Sequence, residues 1–232
     1  MSPIGYVGGS YPVQFLLQAL YQMHTREAAN AALGVLTLPS RRVVTMADGS
    51  TVQQNYTHGW LSMMDNYNAT TTMEAWSPLE EPVLTTSHIW SASPAFAIPF
   101  WLAGVYPATP GWETVMVKPQ PGDLEFFHFE IETIRGSVSA GVTQRFSENS
   151  QKNENQLSQN ESTSSVRTLE NYRLAVTLPG NTRARLFAPK PPTACLHLDG
   201  APATVVEASA ADDMVEVVIE PSSAVERVLE WC

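Results

Sequence analysis

The apolar residues of this chain change their spacing near residue 104, and that change limits the folds open to it. Before that point they recur at three and four. Val13, Leu16, Leu17 and Leu20 share one helix face, and Ala28, Ala29, Ala32, Leu33 and Leu36 share another behind a Thr25 N-cap. Beyond it they alternate, as in the run Phe127-His-Phe-Glu-Ile-Glu and again from Met214 to Glu220. Short strands are predicted at 114–118, 125–132, 136–144, 171–178, 183–188, 194–198, 203–207, 213–220 and 224–231. Many short strands parted by Pro, Gly and Asp turns build an antiparallel β-sandwich. Helices first, then a sandwich, is the predicted order.

Local signals fill in the helical part. Pro39 closes the second helix, and residues 40–57 read as a polar excursion with a turn at Asp48-Gly49. A short helix resumes near Trp60. Ser93-Pro94 reads as N-cap and first turn of another helix that ends at Gly104, with Pro99 set to kink or shorten it. Residues 147–167 are Ser/Asn/Gln/Glu-rich and read as a disordered insertion in a hairpin.

Composition excludes several classes. A net charge of −10 argues against nucleic acid, whose binding needs clustered Lys and Arg. No run approaches the 18 or so apolar residues of a membrane span, and no signal peptide is seen. The compartment stays open. Cys195 and Cys232 are read as neither a disulfide framework nor a metal site, and His24, His58, His128 and His197 show no ligand spacing. No cofactor or metal is predicted. Asn55, Asn68 and Asn160 fit the glycosylation sequon, and Asn68 is predicted to stay unmodified because a glycan there would obstruct the candidate site.

One stretch carries candidate chemistry. Asn66-Tyr-Asn-Ala-Thr-Thr-Thr-Met-Glu-Ala-Trp76 holds a single carboxylate, Glu74, two residues before a tryptophan. A lone acid beside an aromatic is a group that sugar-cleaving sites use as base or nucleophile. Glu80 and Glu81, beside prolines, read as surface charge.

Thr70-Thr-Thr-Met-Glu-Ala-Trp76 is followed by Ser87-His88, Leu102-Ala-Gly-Val105, Pro110-Gly-Trp112 and Val117-Lys-Pro-Gln-Pro-Gly122. In this order the chain resembles the C-terminal end of the inverting α-L-rhamnosidases, glycoside hydrolase family 78. Tyr172 to Ala184 extends the likeness more weakly. The resemblance implies a multidomain chain, α then β. Residues 1–108 would be the last helices of a six-hairpin (α/α)6 barrel, and 109–232 a C-terminal β-sandwich. It also implies that Glu74 is the general base and that His88 contacts the sugar, with Trp76 and Trp60 as further substrate-binding candidates. Ser87 stands where the family has Asn, and Met73 where many members have Trp.

The family's general acid lies in an Asp-Glu-Arg-x-Gly-Trp type motif that this sequence lacks. The implied partner set is a rhamnosylated glycoside or oligosaccharide plus an N-terminal barrel segment, with no nucleic acid and no membrane. The chain reads as a fragment, inactive alone. Under that reading the apolar faces of 13–20 and 28–36 should lie exposed. Two alternatives stand beside it: another six-hairpin glycosidase, or a non-catalytic carbohydrate-binding or interaction fragment.

Overall fold

The computed structural model describes residues 9–39, 41–46, 48–55, 58–77, 85–149, 166–192, 195–206, 214–221 and 224–232. Glu80, Glu81, Asn160 and most of the proposed insertion lie outside these. Two compact units divide the chain. One comprises Met1–Gly104 with Gln120–Asp123, the other Val105–Pro119 with Leu124–Cys232.

The first unit is built on α1 (Val13–Gln22), α2 (Arg26–Leu36), α3 (Trp60–Tyr67) and the short α4 (Pro94–Ala97). Thr25 caps α2 as its sequence requires, its hydroxyl accepting from the Ala28 amide at 3.1 Å. Asn68 ends α3 in the left-handed region (φ 53°), a conformation Asn tolerates. After α4 the backbone widens into a π-turn, Ile98–Leu102. Pro99 has no N–H to give to the fourth carbonyl back, so the regular ladder cannot continue through it.

The polar excursion is instead a hairpin, β1 (Arg41–Thr45) paired antiparallel with β2 (Thr51–Asn55). The Asp48-Gly49 turn lies at its tip. Gly49 takes φ +83°, and Asp48 Oδ1 accepts from the Ser50 amide at 2.9 Å.

The helix faces expected to lie bare are largely covered, with Leu33 and Leu36 half-buried. Val13, Leu17 and Tyr21 of α1 are buried, as are Ala28, Ala29, Ala32 and Val35 of α2, together with Trp60, Met63, Met73, Trp76 and Leu102. Leu16 and Leu20 are half-buried. Small Ala side chains let these elements approach closely enough to close a core. The apolar exposure falls elsewhere, on Phe15, Ile89, Phe96 and Phe100.

The segment 120–123 returns to this unit through specific contacts. Gln120 donates its amide to the Leu102 carbonyl at 2.9 Å, and the Asp123 amide donates to Asn30 Oδ1 at 2.7 Å. Asp123 pairs with Arg26 at 2.5 Å. Gly122 between them has φ +58°, and a Cβ there would stand 2.3 Å from Asn30 Oδ1.

The second unit is sandwich-like, with two sheets. Six antiparallel strands run in the order β10 (Ala201–Pro202), β9 (Leu196–Leu198), β12 (Val225–Trp231), β7 (Val166–Leu178), β6 (Gly136–Asn149) and β5 (Phe126–Thr133). The second sheet runs β11 (Met214–Ile219), β8 (Arg183–Pro189), β4 (Thr114–Val117) and β3 (Val105–Pro107). Alternation is obeyed on the strands that matter. Val138, Ala140 and Val142 are buried on β6, Tyr172, Leu174 and Val176 on β7, and Ala184, Leu186 and Ala188 on β8.

Two details depart from the expected sandwich. β4 and β8 pair parallel, which the intervening strands β5 to β7 of the other sheet make possible. Residues 147–149 and 166–167 are strand, so β6 and β7 reach into the stretch read as disordered. Of the strand predicted at 203–207, only an isolated bridge, Val206 to Glu216, is formed among the described residues. Trp231 donates from Nε1 to the Pro189 carbonyl at 3.0 Å, tying β12 to β8. Arg185 grips the buried Glu216 with both forks, at 2.5 and 2.8 Å, which holds that carboxyl below the usual carboxylate range.

Candidate active site

Glu74 lies in the first unit on an irregular segment that has no helix or strand to hold it. Its rigidity comes from a second segment running back alongside. The Glu74 amide donates to the Thr85 carbonyl at 3.0 Å, and the His88 amide to the Thr72 carbonyl at 2.8 Å. The threonine run explains itself here. Thr71 Oγ1 donates to the Thr86 carbonyl at 3.0 Å and Thr72 Oγ1 to the His88 carbonyl at 3.1 Å, so the hydroxyls close what an ordinary ladder would leave open.

The Glu74 carbonyl is fixed as well. It accepts from Trp90 Nε1 at 2.8 Å and from Ser10 Oγ at 2.6 Å. Ser91, buried, donates its hydroxyl to the Met73 carbonyl. Both chain segments around the acid are therefore pinned by side chains from α1's approach and from the turn after His88.

The carboxylate has its own donors. Glu74 Oε2 accepts from the Thr85 amide at 2.8 Å and from the Thr85 hydroxyl at 3.1 Å. The Thr85 amide bond most strongly lowers the Glu74 pKa from the ordinary glutamate value. Partial desolvation opposes it, and the Thr85 hydroxyl and His88 add to the lowering. This acid stays ionised and can accept a proton. A general acid would need the opposite tuning.

His88 caps the following 3₁₀ turn. Its Nδ1 accepts from the Trp90 amide at 3.3 Å, which leaves Nε2 as the donor for any outside group. Its ring lies 4.3 Å from that of Trp90, and Trp90 in turn lies 5.5 Å from Tyr11. Tyr11 and Trp90 are 45% and 40% exposed, so an aromatic surface faces solvent beside the acid.

Trp76 and Trp60, the further substrate-binding candidates, lie in the core of the first unit. They are 2% and 7% exposed and meet edge to face at 5.2 Å, with Trp60 Nε1 donating to the Ser91 carbonyl at 2.8 Å. Their faces are spent on the core beneath the loop. Met73 is buried there too, its amide donating to the Met63 thioether sulfur, Sδ, at 3.4 Å. Sequence reading passed over Thr85, Trp90 and Tyr11. The only signal for them was their nearness to His88 and to the turn-rich entry.

Cys195 and Cys232, read as unlinked, form a disulfide with Cα atoms 5.4 Å apart. They stand opposite one another where β9 and β12 pair, because Trp231 lies across from Leu196 and the register continues by one. A separation of 37 residues in the chain hid this.

Residues 104–149 match the family model of the bacterial α-L-rhamnosidase C-terminal domain. The α-L-rhamnosidase of Dictyoglumus thermophilum has a TM-score of 0.64 at 17% identity, over 99% of this chain and 21% of that one. The Streptomyces avermitilis α-L-rhamnosidase, solved in complex with L-rhamnose, gives 0.52 at 20% identity, over 73% of this chain and 14% of that one. No curated protein matches.

The chain thus resembles the C-terminal part of α-L-rhamnosidases and spans about a fifth or less of these enzymes. At such identities the likeness carries the fold. The matched residues 104–149 hold β3 to β6, and Glu74 lies outside them. The described residues contain no helix long and apolar enough to cross a membrane.

Proposed function

We propose that this chain supplies the base half of an inverting α-L-rhamnosidase site, acting on terminal α-L-rhamnosyl residues. α1 to α4 would be the closing helices of an (α/α)6 barrel, and the two-sheet unit its C-terminal sandwich. Glu74 takes a proton from the water that attacks the anomeric carbon opposite the leaving group. The observation that carries this reading is the Thr85 clasp, which holds Glu74 ionised beside half-buried His88 and exposed Trp90.

His88 Nε2 would donate to a sugar hydroxyl. Trp90 and Tyr11 offer the faces for sugar C–H packing that Trp60 and Trp76 cannot. The general acid comes from sequence beyond this chain. The absent acid motif also favours a second reading, in which the chain binds carbohydrate without cleaving it.

Rhamnose release from an aryl α-L-rhamnoside tests the proposal on two proteins. One is this chain alone. The other is this chain fused behind the preceding part of an α-L-rhamnosidase, in place of the matching C-terminal part. The expected result is no release from the first and turnover by the second. A folded fusion that binds L-rhamnose without turnover would support the non-catalytic reading.

The pH profile of the fusion reports the clasp. A base works only when ionised, so activity rises as pH rises through the Glu74 pKa, and a lowered pKa sets that acid limb below the ordinary glutamate range near 4.3. Thr85→Val removes the hydroxyl bond and keeps the amide. The acid limb of kcat/KM is expected to move to higher pH, with the alkaline limb unmoved.

A further inference from the structure

We propose that Cys195, His197 and Cys232 form a redox-gated metal site, closed while the disulfide stands and open to a borderline-soft divalent cation such as Zn²⁺ once it is reduced. Strand geometry brings the three side chains together. Side chains two apart on a strand point to the same face, so Cys195 and His197 emerge together beside β9. β12 pairs antiparallel with β9, Glu230 opposite His197 and Trp231 opposite Leu196, which puts Cys232 across from Cys195. The two sulfurs and an imidazole nitrogen consequently lie within 4.8 Å of one another.

Metal geometry fits that spacing. Bonds of about 2.3 Å from zinc to sulfur and about 2.0 Å to nitrogen set tetrahedral edges of roughly 3.5–3.8 Å. Cα atoms 5.4 Å apart allow the two sulfurs to separate to such an edge by side-chain rotation, with the strands in register. Thiolate and imidazole are donors that select zinc over magnesium or calcium. Three protein ligands leave the fourth position to water. His197 is only half-buried and Cys232 is exposed, so both a cation and a reductant have access. Carboxylate charge is near as well, since Glu230 is the cross-strand partner of His197 and pairs with Arg173 at 4.0 Å.

The chemistry balances. A phosphine reductant gives two electrons to the sulfur–sulfur bond, which breaks. The sulfurs take up two protons, and the phosphine becomes its oxide with an oxygen from water. On metal binding each thiol releases its proton to solvent and forms a sulfur–metal bond, and His197 adds its neutral ring nitrogen. The same sulfurs serve both states, so disulfide and metal exclude one another.

The test is titration of the full chain with Zn²⁺, before and after reduction by a phosphine, with Co²⁺ as spectroscopic probe. The expected result is one zinc per reduced chain and none per oxidised chain, with a thiolate-to-cobalt charge-transfer band. His197→Ala, a change at a half-buried position that leaves both cysteines in place, is expected to weaken zinc binding by tenfold or more in the reduced state. Bound zinc is also expected to slow thiol modification by an aromatic disulfide reagent. Equal zinc affinity in oxidised and reduced protein would overturn the proposal, as would a His197→Ala chain that binds as tightly as the parent.

Discussion

Replacing Glu74 with Gln in the fused enzyme is expected to lower kcat by about 10²- to 10⁴-fold, the usual contribution of a positioned base. Gln keeps the shape of Glu and can still accept from Thr85 through its amide oxygen, so the contacts of Thr71–Glu74 with Thr85–His88 should hold. What it loses is the ability to take a proton. The loss should therefore appear in kcat with KM nearly unchanged, the pattern of an interaction made in the transition state only. A raised KM at constant kcat would make Glu74 a sugar-binding residue and leave the base unassigned. Steady-state kinetics on an aryl α-L-rhamnoside separate the two.

Gly122→Ala is expected to destabilise the helical unit by roughly 2–3 kcal/mol. The backbone there is left-handed at φ +58°, which costs a residue with a Cβ about 1–2 kcal/mol. The new methyl would also stand 2.3 Å from Asn30 Oδ1 and 3.1 Å from Leu33 Cδ1. Asn30 would have to withdraw from the Asp123 amide, forfeiting a hydrogen bond worth about 1 kcal/mol. Gly49→Ala is the control. It shares the positive φ, at +83°, with nothing within 4 Å of the new Cβ, so it should cost only the backbone share. Thermal unfolding followed by circular dichroism should show a drop of several degrees for Gly122→Ala and a smaller one for Gly49→Ala. Equal drops would mean that the contact with Asn30 contributes nothing.

What could be read from the sequence was what neighbours in the chain decide. Thr25 as a cap, the Asp48-Gly49 turn, and the period-two strands β5 and β11 each rest on residues within one or two turns of each other. Failures came where distant segments meet. The β1–β2 hairpin was missed because Arg41-Arg-Val-Val-Thr45 shows no apolar alternation, and pairing with β2 defines it. Glu74 was singled out by its motif, yet its clasp was not, since Thr85 is eleven residues on in the chain with no period linking the two. The burial of Trp60 and Trp76 was not legible, because an aromatic near a candidate acid looks the same in sequence whether it faces a sugar or a core. The Cys195–Cys232 pair, and His197 beside it, needed the register of β9 on β12 to be known. The exposed face expected on α1 and α2 failed for the converse reason: the two helices pack on each other, α1 also meets α4, and Tyr21 of α1 stacks on Trp101 at 5.9 Å.

The central claim is that Glu74 activates water on the face opposite the leaving group. Azide rescue of the Glu74→Ala fusion tests it most directly. Azide needs no deprotonation, so it can enter where the base and its water stood. The account predicts that azide restores aryl rhamnoside turnover and that proton NMR shows a rhamnosyl azide of inverted, β configuration. A Glu74→Ala fusion that hydrolyses substrate as fast as the parent, or an azide product that keeps the α configuration, would contradict it.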